Sequence, residues 1–306
     1  SCLLGSYMFL RAMSRSLTEK IIDRIDLTDN ELGDLKVEIS ESAGIANDVS
    51  RGNYLNGPND FAVSAYLART DEGYTSPNYF YNEKASRASG KWATENQHIW
   101  PGKGYKLQFF AVAPFDHGQK YIDKDMNAVP ALTVGLSSVA KEQKDILVAC
   151  DDVANATSGS IFLQFQHIMS AIKVKFEAGL FADCHIYGVT ISNAYMAGVY
   201  FPNRTIASQA GNWQIIPGSQ GGANSSVSMD VDAIYQNSTI LLDILNGDEM
   251  FMMIPQSTDK ITLAVHYSQN KGAGEGSEHG SSITLALPST TWQAGHTYSY
   301  ILRRNH

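Results

Sequence analysis

The chain contains little cysteine, and its cysteines lack the spacing of a metal site. There are three in 306 residues, Cys2, Cys150 and Cys184, and no two of them form a CxxC motif. The eight histidines are also scattered, without an HExxH arrangement, so we predict no metal site. Cys150 and Cys184 lie in apolar runs, where we expect buried thiols; a disulfide between them stays open, because sequence alone cannot place their Cβ atoms.

Long apolar runs and clusters of basic residues are also missing. No segment reaches the roughly 20 apolar residues of a membrane-spanning helix, and the longest candidate, 2–13, is broken by Ser6 and Arg11. The net charge is −8 and no run of Lys or Arg forms a basic stripe, so we expect no nucleic-acid partner. Charged residues make up 18% of the chain and apolar residues 43%, which excludes disorder and suits large buried sheets.

Motifs of catalysis and nucleotide binding are absent from the sequence. There is no GxSxG nucleophile elbow, and the glycines at 272, 274 and 276 do not extend to GxGxxG because His279 stands where the last glycine is required. We therefore predict no catalytic site, no cofactor, and a protein that is not an enzyme. Helical signals are few: 16–25, which could also be a strand, and Ser138–Lys144, which predicts one or two turns.

Period-two alternation of apolar and polar residues runs through most of the chain. In Leu35–Ser40, the side chains of Leu35, Val37 and Ile39 fall on one face and polar side chains on the other. Such alternation predicts strands with one buried and one wetter face, as in antiparallel sheets packed as a sandwich. Further strands are predicted at 61–68, 107–113, 161–165, 172–176, 261–265 and 298–302.

The arrangement of strands and turns predicts an all-β protein of two tandem antiparallel β-sandwich domains with few short helices. Turn sequences such as Asn56–Asn59 and Pro101–Gly104 separate the strands. Strands do not alternate with helices, so we expect no parallel sheet. The polar segment Asp151–Gly159 is the expected boundary. The predicted division is an N-terminal anchor or leader segment, 1–30, a first sandwich, 31–157, and a second sandwich, 158–306.

Four groups of residues stand out by their order and spacing. They are Lys91–Trp92 leading to Trp100–Gly102 and Leu107–Pro114, then Asp145–Ala149, then Leu163–Ile172, and finally Trp292–Tyr300. Together they span most of the chain. In these segments the sequence resembles the fimbrillin family, subunits of the type V pili of anaerobic gut and oral bacteria.

The resemblance implies two transthyretin-like sandwiches in a structural or adhesive subunit of a fimbrium. It also implies export as an outer-membrane lipoprotein, with a signal peptide removed upstream of Ser1, and Cys2 stands where a lipobox cysteine would carry the lipid. In many family members an arginine-specific protease removes an N-terminal strand, and a neighbour's strand fills the groove by main-chain hydrogen bonds. Candidate cleavage sites are Arg11, Arg15, Arg24 and Arg51. We favour Arg15, which directly precedes Ser16–Glu19, a sequence with the spacing of a helix-capping box, in a segment expected to be exposed.

The C-terminal end departs from the pattern of polymerising family members. They carry a further strand after the Tyr-x-Tyr strand, whereas this sequence stops at 303–306. We therefore expect an anchor, tip or accessory subunit, with other pilus subunits, the outer membrane and a host or bacterial surface ligand as partners. The alternative hypothesis is a surface carbohydrate-binding lipoprotein, which needs exposed tryptophans on one face. We expect the four tryptophans to pack in the core or at corners instead.

Overall fold

A computed structural model shows an all-β protein, which confirms the predicted fold class. The residues that the structure describes are 35–43, 60–88, 91–115, 130–157, 161–177, 180, 184–203, 211–216, 218, 225–235, 242–243, 249–269 and 280–304. The strands within them are β1 (Leu35–Ala43), β2 (Asp60–Arg69), β3 (Phe80–Ala88), β4 (Lys91–Thr94), β5 (Tyr105–Ala113), β6 (Leu132–Gly135), β7 (Leu147–Val153), β8 (Gln166–His167), β9 (Ser170–Phe176), β10 (Cys184–Ser192), β11 (Ala197–Phe201), β12 (Asn212–Ile215), β13 (Val227–Tyr235), β14 (Leu242–Asp243), β15 (Phe251–Met253), β16 (Thr262–Gln269), β17 (Gly280–Ala286) and β18 (His296–Arg304).

A six-stranded antiparallel sheet is built around β5, in the spatial order β4-β3-β2-β5-β7-β8. Its β5 strand is buried on both faces, since Phe109 is 3% exposed and Phe110 is 0% exposed. We expected one wetter face here. That face is covered because Trp100, Leu163 and Phe165 pack over it, forming with Phe109 what we term the outer core.

A three-stranded sheet, β12-β11-β6, lies against the other face of β5. Phe110 of β5, Leu132 of β6 and Tyr200 of β11 belong to one buried cluster, which we term the central core. Each of these side chains alternates with a neighbour that points away from the cluster, as the pleat of a strand requires.

Two further sheets enclose a third cluster, which we term the sandwich core. One has the order β1-β18-β9-β14, with β15 also paired to β9, and the other has the order β13-β10-β16-β17. Val174 and Tyr300 from the first sheet and Val189 and Val265 from the second are all fully buried in this core. The alternation in 172–176, 261–265 and 298–302 therefore predicts the buried face of these strands correctly.

The last strand, β18, has one antiparallel and one parallel neighbour. It pairs antiparallel with β1 and parallel with β9. The parallel pair contradicts our expectation from the absence of alternating helices. Parallel neighbours need a long crossover connection, and here the strands β10 to β17 supply it in place of a helix.

The short strand β15 contributes to two cores at once. Phe251 and Met253 point into the sandwich core, whereas Met252 between them points into the central core. All three side chains are fully buried. The two clusters are therefore separated by the thickness of one strand.

Among the described strands, pairing crosses the predicted domain boundary in three places. Strands β1, β6 and β7, from the range 31–157, pair with β18, β11 and β8. Asp151–Val153, expected to begin the linker, form the end of β7. The division into 31–157 and 158–306 stays a prediction, and segment 1–30 lies outside the described residues.

The predicted strand at 161–165 is wrong. This segment is an extended connection without strand pairing, and the Phe162 N–H donates instead to Asp151 Oδ2 at 2.7 Å. Leu163 and Phe165 pack on the outer core while Phe162 is 78% exposed. The alternation thus arises because one side of the connection covers a sheet and the other faces solvent.

The predicted helical turn within Ser138–Lys144 is confirmed by a single 3-10 turn, Ala140–Glu142. The other helical signal, at 16–25, lies outside the described residues. In the part of the chain that the structure describes, no helix has the length and apolarity to cross a membrane.

Candidate functional site

The edge formed by β1 on β18 is the candidate functional site. β1 comes first among the described strands and lies at the end of its sheet. Its nine residues pair with β18 in continuous register, from Leu35 opposite Arg304 to Ala43 opposite His296. An edge strand is held by main-chain hydrogen bonds on one side, and these bonds do not depend on its side chains.

Two apolar side chains join β1 to the interior. Val37 stands opposite Leu302 and Ile39 opposite Tyr300, and both pack against the sandwich core while remaining only half-buried. Their partners on β18 are 1% and 0% exposed. β1 therefore acts as a cover over side chains that are themselves completely buried.

On the outer face of the sheet, an ion pair links the two strands. Arg303 Nε donates to Glu38 Oε2 at 2.7 Å, and Lys36 Nζ lies 3.1 Å from Glu38 Oε1. The hydrogen bond from Lys36, followed by that from Arg303, holds the pKa of Glu38 below its ordinary value. The carboxylate is thus ionised at neutral pH and bridges one residue of each strand.

On the inner face, at the other end of β1, a second acidic residue meets two polar groups of β18. Glu41 Oε1 lies 2.8 Å from His296 Nδ1 and accepts a hydrogen bond from the Tyr298 hydroxyl at 3.1 Å. The same hydroxyl accepts the Gln293 N–H at 2.8 Å, so its own hydrogen is directed to an acceptor such as the carboxylate. Burial raises the pKa of Tyr298, which keeps it a donor at neutral pH.

Beneath β1, the acceptor strand is fixed by an internal hydrogen bond. The Trp292 indole N–H donates to the Tyr300 hydroxyl at 2.8 Å, and both residues are 0% exposed. Burial raises the pKa of Tyr300 well above its ordinary value. This bond joins residues 292 and 300 and does not involve β1.

The site residues predicted from sequence, Cys2 and Arg15, lie outside the described residues. Sequence reasoning missed the polar groups at the edge: Glu38, Glu41 and Arg303. The signal that could have found them is the complementary charge of two segments, at 35–43 and 296–304, but nothing in the sequence says that these segments meet.

The two cysteines in the described residues are thiols rather than a disulfide. Cys184 is buried as we expected, whereas Cys150 is only half-buried. His167 has Nδ1 2.7 Å from Asp145 Oδ2. Among the described residues, no group of three or more His, Cys, Asp or Glu side chains is placed to hold a metal ion.

The tryptophans, on which the carbohydrate-binding alternative depends, differ in exposure. Trp292 is completely buried, and Trp100 and Trp213 are half-buried against the outer and central cores. Trp92 is 40% exposed and its ring lies 5.0 Å from that of Phe61, tilted by 49°. Three of the four rings therefore serve packing as we expected, whereas the exposed Trp92 departs from that expectation in part.

Two features allow this chain to be classed. It consists of packed β-sheets, and its first described strand, β1, pairs with the last, β18. The model of the fimbrillin-like family matches residues 49–305, and the chain belongs to this family. The match includes β18 and begins after β1. The family model and a curated relative both describe fimbrial proteins, so the chain is a fimbrial type of protein.

Individual relatives agree with the family assignment. Fimbrium subunit Fim1C of Phocaeicola vulgatus is 27% identical over 296 residues, covering 79% of this chain and 76% of the relative. The crystal structure of a fimbrial protein from Bacteroides vulgatus has a TM-score of 0.57 and 18% identity, covering 87% of this chain and 98% of that one. At this level of identity the second likeness shows the fold alone.

Proposed function

We propose that this protein is a structural and adhesive component of a fimbrium, without enzymatic activity, that joins other subunits by strand exchange. In this exchange β1 leaves the edge of β18 and a strand of another subunit takes its place. The observation that carries the proposal is the position of β1, an early strand at a sheet edge with half-buried side chains over a fully buried acceptor.

The physical argument is that β1 can be replaced but cannot simply be lost. Its departure would leave the N–H and C=O groups of one edge of β18 unpaired and would expose Tyr300 and Leu302 to water. Any strand with apolar residues at the positions of Val37 and Ile39 would restore both kinds of contact. An emptied edge therefore favours binding of a second chain.

The location of β1 separates the candidate cleavage sites into two groups. Arg11, Arg15 and Arg24 precede β1, so a cut there leaves β1 joined to the protein. Arg51 is the one basic residue between β1 and β2 in the sequence, so a cut there would separate β1 from the rest. A cut at Arg15 would trim the segment before β1 and leave β1 paired with β18, and we propose that release of β1 needs a cut at Arg51.

Cleavage at Arg15 and membrane anchoring exclude each other on the same molecule. A lipidated Cys2 would anchor the protein to the outer membrane, and a cut at either Arg15 or Arg51 would remove that anchor. We propose an anchor, tip or accessory role in which Cys2 stays attached as long as β1 stays paired with β18. Mass spectrometry of the membrane-extracted protein is expected to show a diacylated Cys2 and an uncut Arg15; an unmodified Cys2 would reject the anchor.

Strand exchange can be tested with a full chain that carries an inserted recognition sequence for a site-specific protease between β1 and β2. After cleavage, a dye-labelled peptide of residues 35–43 is added and its anisotropy is followed. We expect uptake by the cleaved chain. The uncut chain, in which tethered β1 competes at an effective concentration on the order of millimolar, is expected to take up far less.

Two results would reject the exchange. One is the absence of uptake after cleavage although the fragment containing β1 has dissociated, which means that the emptied edge does not accept a strand. The other is equal uptake of a peptide with the same composition and scrambled order, which means that the alternation of side chains is not recognised. Circular dichroism of the cleaved chain controls for unfolding.

A further inference from the structure

We infer that the β18 edge selects an incoming strand with the pattern apolar–acidic–apolar–any–acidic. The acidic residues of this strand occupy the positions of Glu38 and Glu41, and the apolar residues those of Val37 and Ile39. This inference rests on the strand exchange proposed above and names the partner that the edge accepts.

The first acidic position is defined by Arg303. Its guanidinium lies on the outer face of β18, and its side chain is 29% exposed while bonded to Glu38. Lys36, the other cation at this carboxylate, belongs to β1 and would leave with it. Arg303 would remain, so an incoming carboxylate at this position finds a fixed cation, and an incoming cation is repelled.

The second acidic position is defined by His296 and Tyr298. The Tyr298 hydroxyl already accepts a main-chain N–H and is directed to donate, and His296 Nδ1 lies on the same carboxylate oxygen. A carboxylate can accept from both groups, whereas a lysine has donors only. The hydroxyl can also donate to the Thr291 carbonyl at 3.3 Å, so this position favours an acceptor over a lysine without depending on it.

The two positions also fix the register of the incoming strand. Glu38 lies on the outer face and Glu41 on the inner face, which is why they are an odd number of residues apart. A shift by one residue would turn the first carboxylate toward Leu302 and Tyr300 in the sandwich core. A shift by two residues would keep the faces but move both carboxylates away from their partners.

The charged groups contribute to the specificity for the incoming strand more than to its affinity. The side chains of Glu38 and Glu41 are 43% and 47% exposed, and exposed ion pairs contribute little to affinity. Main-chain hydrogen bonds and the apolar pair provide most of the binding. The ion pairs then distinguish between strands that are equal in these respects.

The test uses the cleaved full chain and labelled peptides of residues 35–43. Glu38→Gln and Glu41→Gln each remove one carboxylate, and Ser40→Lys is the matched control, since it makes the same change in net charge opposite Ser299. We expect each glutamine peptide to bind about two- to fivefold more weakly and the double variant about tenfold. The control peptide is expected to bind like the wild type.

Reversal of the charge on the acceptor provides the second arm. On an Arg303→Glu chain, the Glu38→Arg peptide is expected to bind more tightly than the wild-type peptide, the opposite order from the unmodified acceptor. Equal binding of all peptides that retain Val37 and Ile39 would overturn this inference and leave strand exchange standing. Failure of the wild-type peptide as well would reject the exchange itself and the inference with it.

Discussion

The two neighbours of β18 show how one strand can have a permanent partner and a replaceable one. On one side, β9 places Val174 opposite Tyr300, fully buried in the sandwich core. On the other side, β1 places Ile39 opposite the same Tyr300, half-buried at the edge of the sheet. The hydrogen-bonding capacity of β18 is used on both sides, so the difference lies in the side chains and in the position in the sheet.

The comparison indicates which interactions define the fold and which define assembly. β9 has β18 on one side and β14 and β15 on the other. Its residue Ala171 points to the opposite face from Val174 and is buried in the central core. β1 adds two half-buried side chains, the ion pair of Glu38 with Arg303, and the hydrogen-bonded contacts of Glu41 with His296 and Tyr298. Disturbing β9 should therefore affect the whole molecule, and disturbing β1 should affect the edge alone.

The largest effect is expected from Val174→Asp. It places a carboxylate in the fully buried sandwich core, where no partner charge offsets its desolvation, and we expect a loss of at least about 3 kcal/mol in the free energy of unfolding. The matched variant is Ile39→Asp, because both residues stand opposite Tyr300. It is expected to cost less than about 1 kcal/mol and to make β1 accessible to protease.

Urea unfolding followed by tryptophan fluorescence measures both variants, and limited proteolysis reports on the edge. Similar losses for Val174→Asp and Ile39→Asp would show that β1 is as integral to the fold as β9. That result would remove the basis for treating β1 as replaceable.

An intermediate effect is expected from Trp292→Phe. It removes the donor to the buried Tyr300 hydroxyl and leaves that hydroxyl unsatisfied, which costs about 1–3 kcal/mol. Adding Tyr300→Phe removes the unsatisfied group, so the double variant should lose less than the sum of the two single losses. Denaturant titrations of the three variants check this.

The same titrations can be repeated after β1 has been cleaved from the chain. Because the bond between Trp292 and Tyr300 does not involve β1, the loss should be unchanged. A loss that appears only in the uncut chain would mean that β1 positions Tyr300, contrary to the comparison.

The smallest effect is a pH dependence confined to the edge. The pKa of Glu38 is lowered in the folded state, so its contribution to β1 docking is complete above the ordinary glutamate value of 4.5 and is lost as the pH falls through the lower folded value. Amide hydrogen exchange should show β1 losing protection in this acidic range while β9 keeps it. The variant Glu38→Gln should show a weaker pH dependence of amide protection in β1. If the pH dependence is unchanged in this variant, a group other than Glu38 causes it.

A minority of the described strands could be predicted, because the alternation within each is visible in its own sequence; they are β1, β2, β5, β9, β16 and β18. The alternation at 35–40 and 298–302 depends on burial of one face, which is a local property of the sequence. The pairing of these two segments could not be predicted, since they are more than 250 residues apart and any two alternating strands can form a ladder. The same reasoning explains the parallel pair of β9 and β18, which was missed.

The prediction of a strand from alternation was wrong at 161–165, where the alternation has a cause other than strand pairing. Segment 161–165 alternates because Leu163 and Phe165 cover the outer core, and no neighbouring strand pairs with it. Periodicity reports which side chains are buried and not whether the main chain is paired. At the candidate site the same limit applies, because the roles of Glu38 and Arg303 follow from a contact between distant segments.

The alternating directions of the β15 side chains have a mechanical consequence. Pulling the sandwich core away from the central core would require Phe251 and Met253 to leave one cluster or Met252 to leave the other. The two clusters are thus joined through a shared strand, so a tensile load that separates them has to disrupt the packing of β15 in at least one of them.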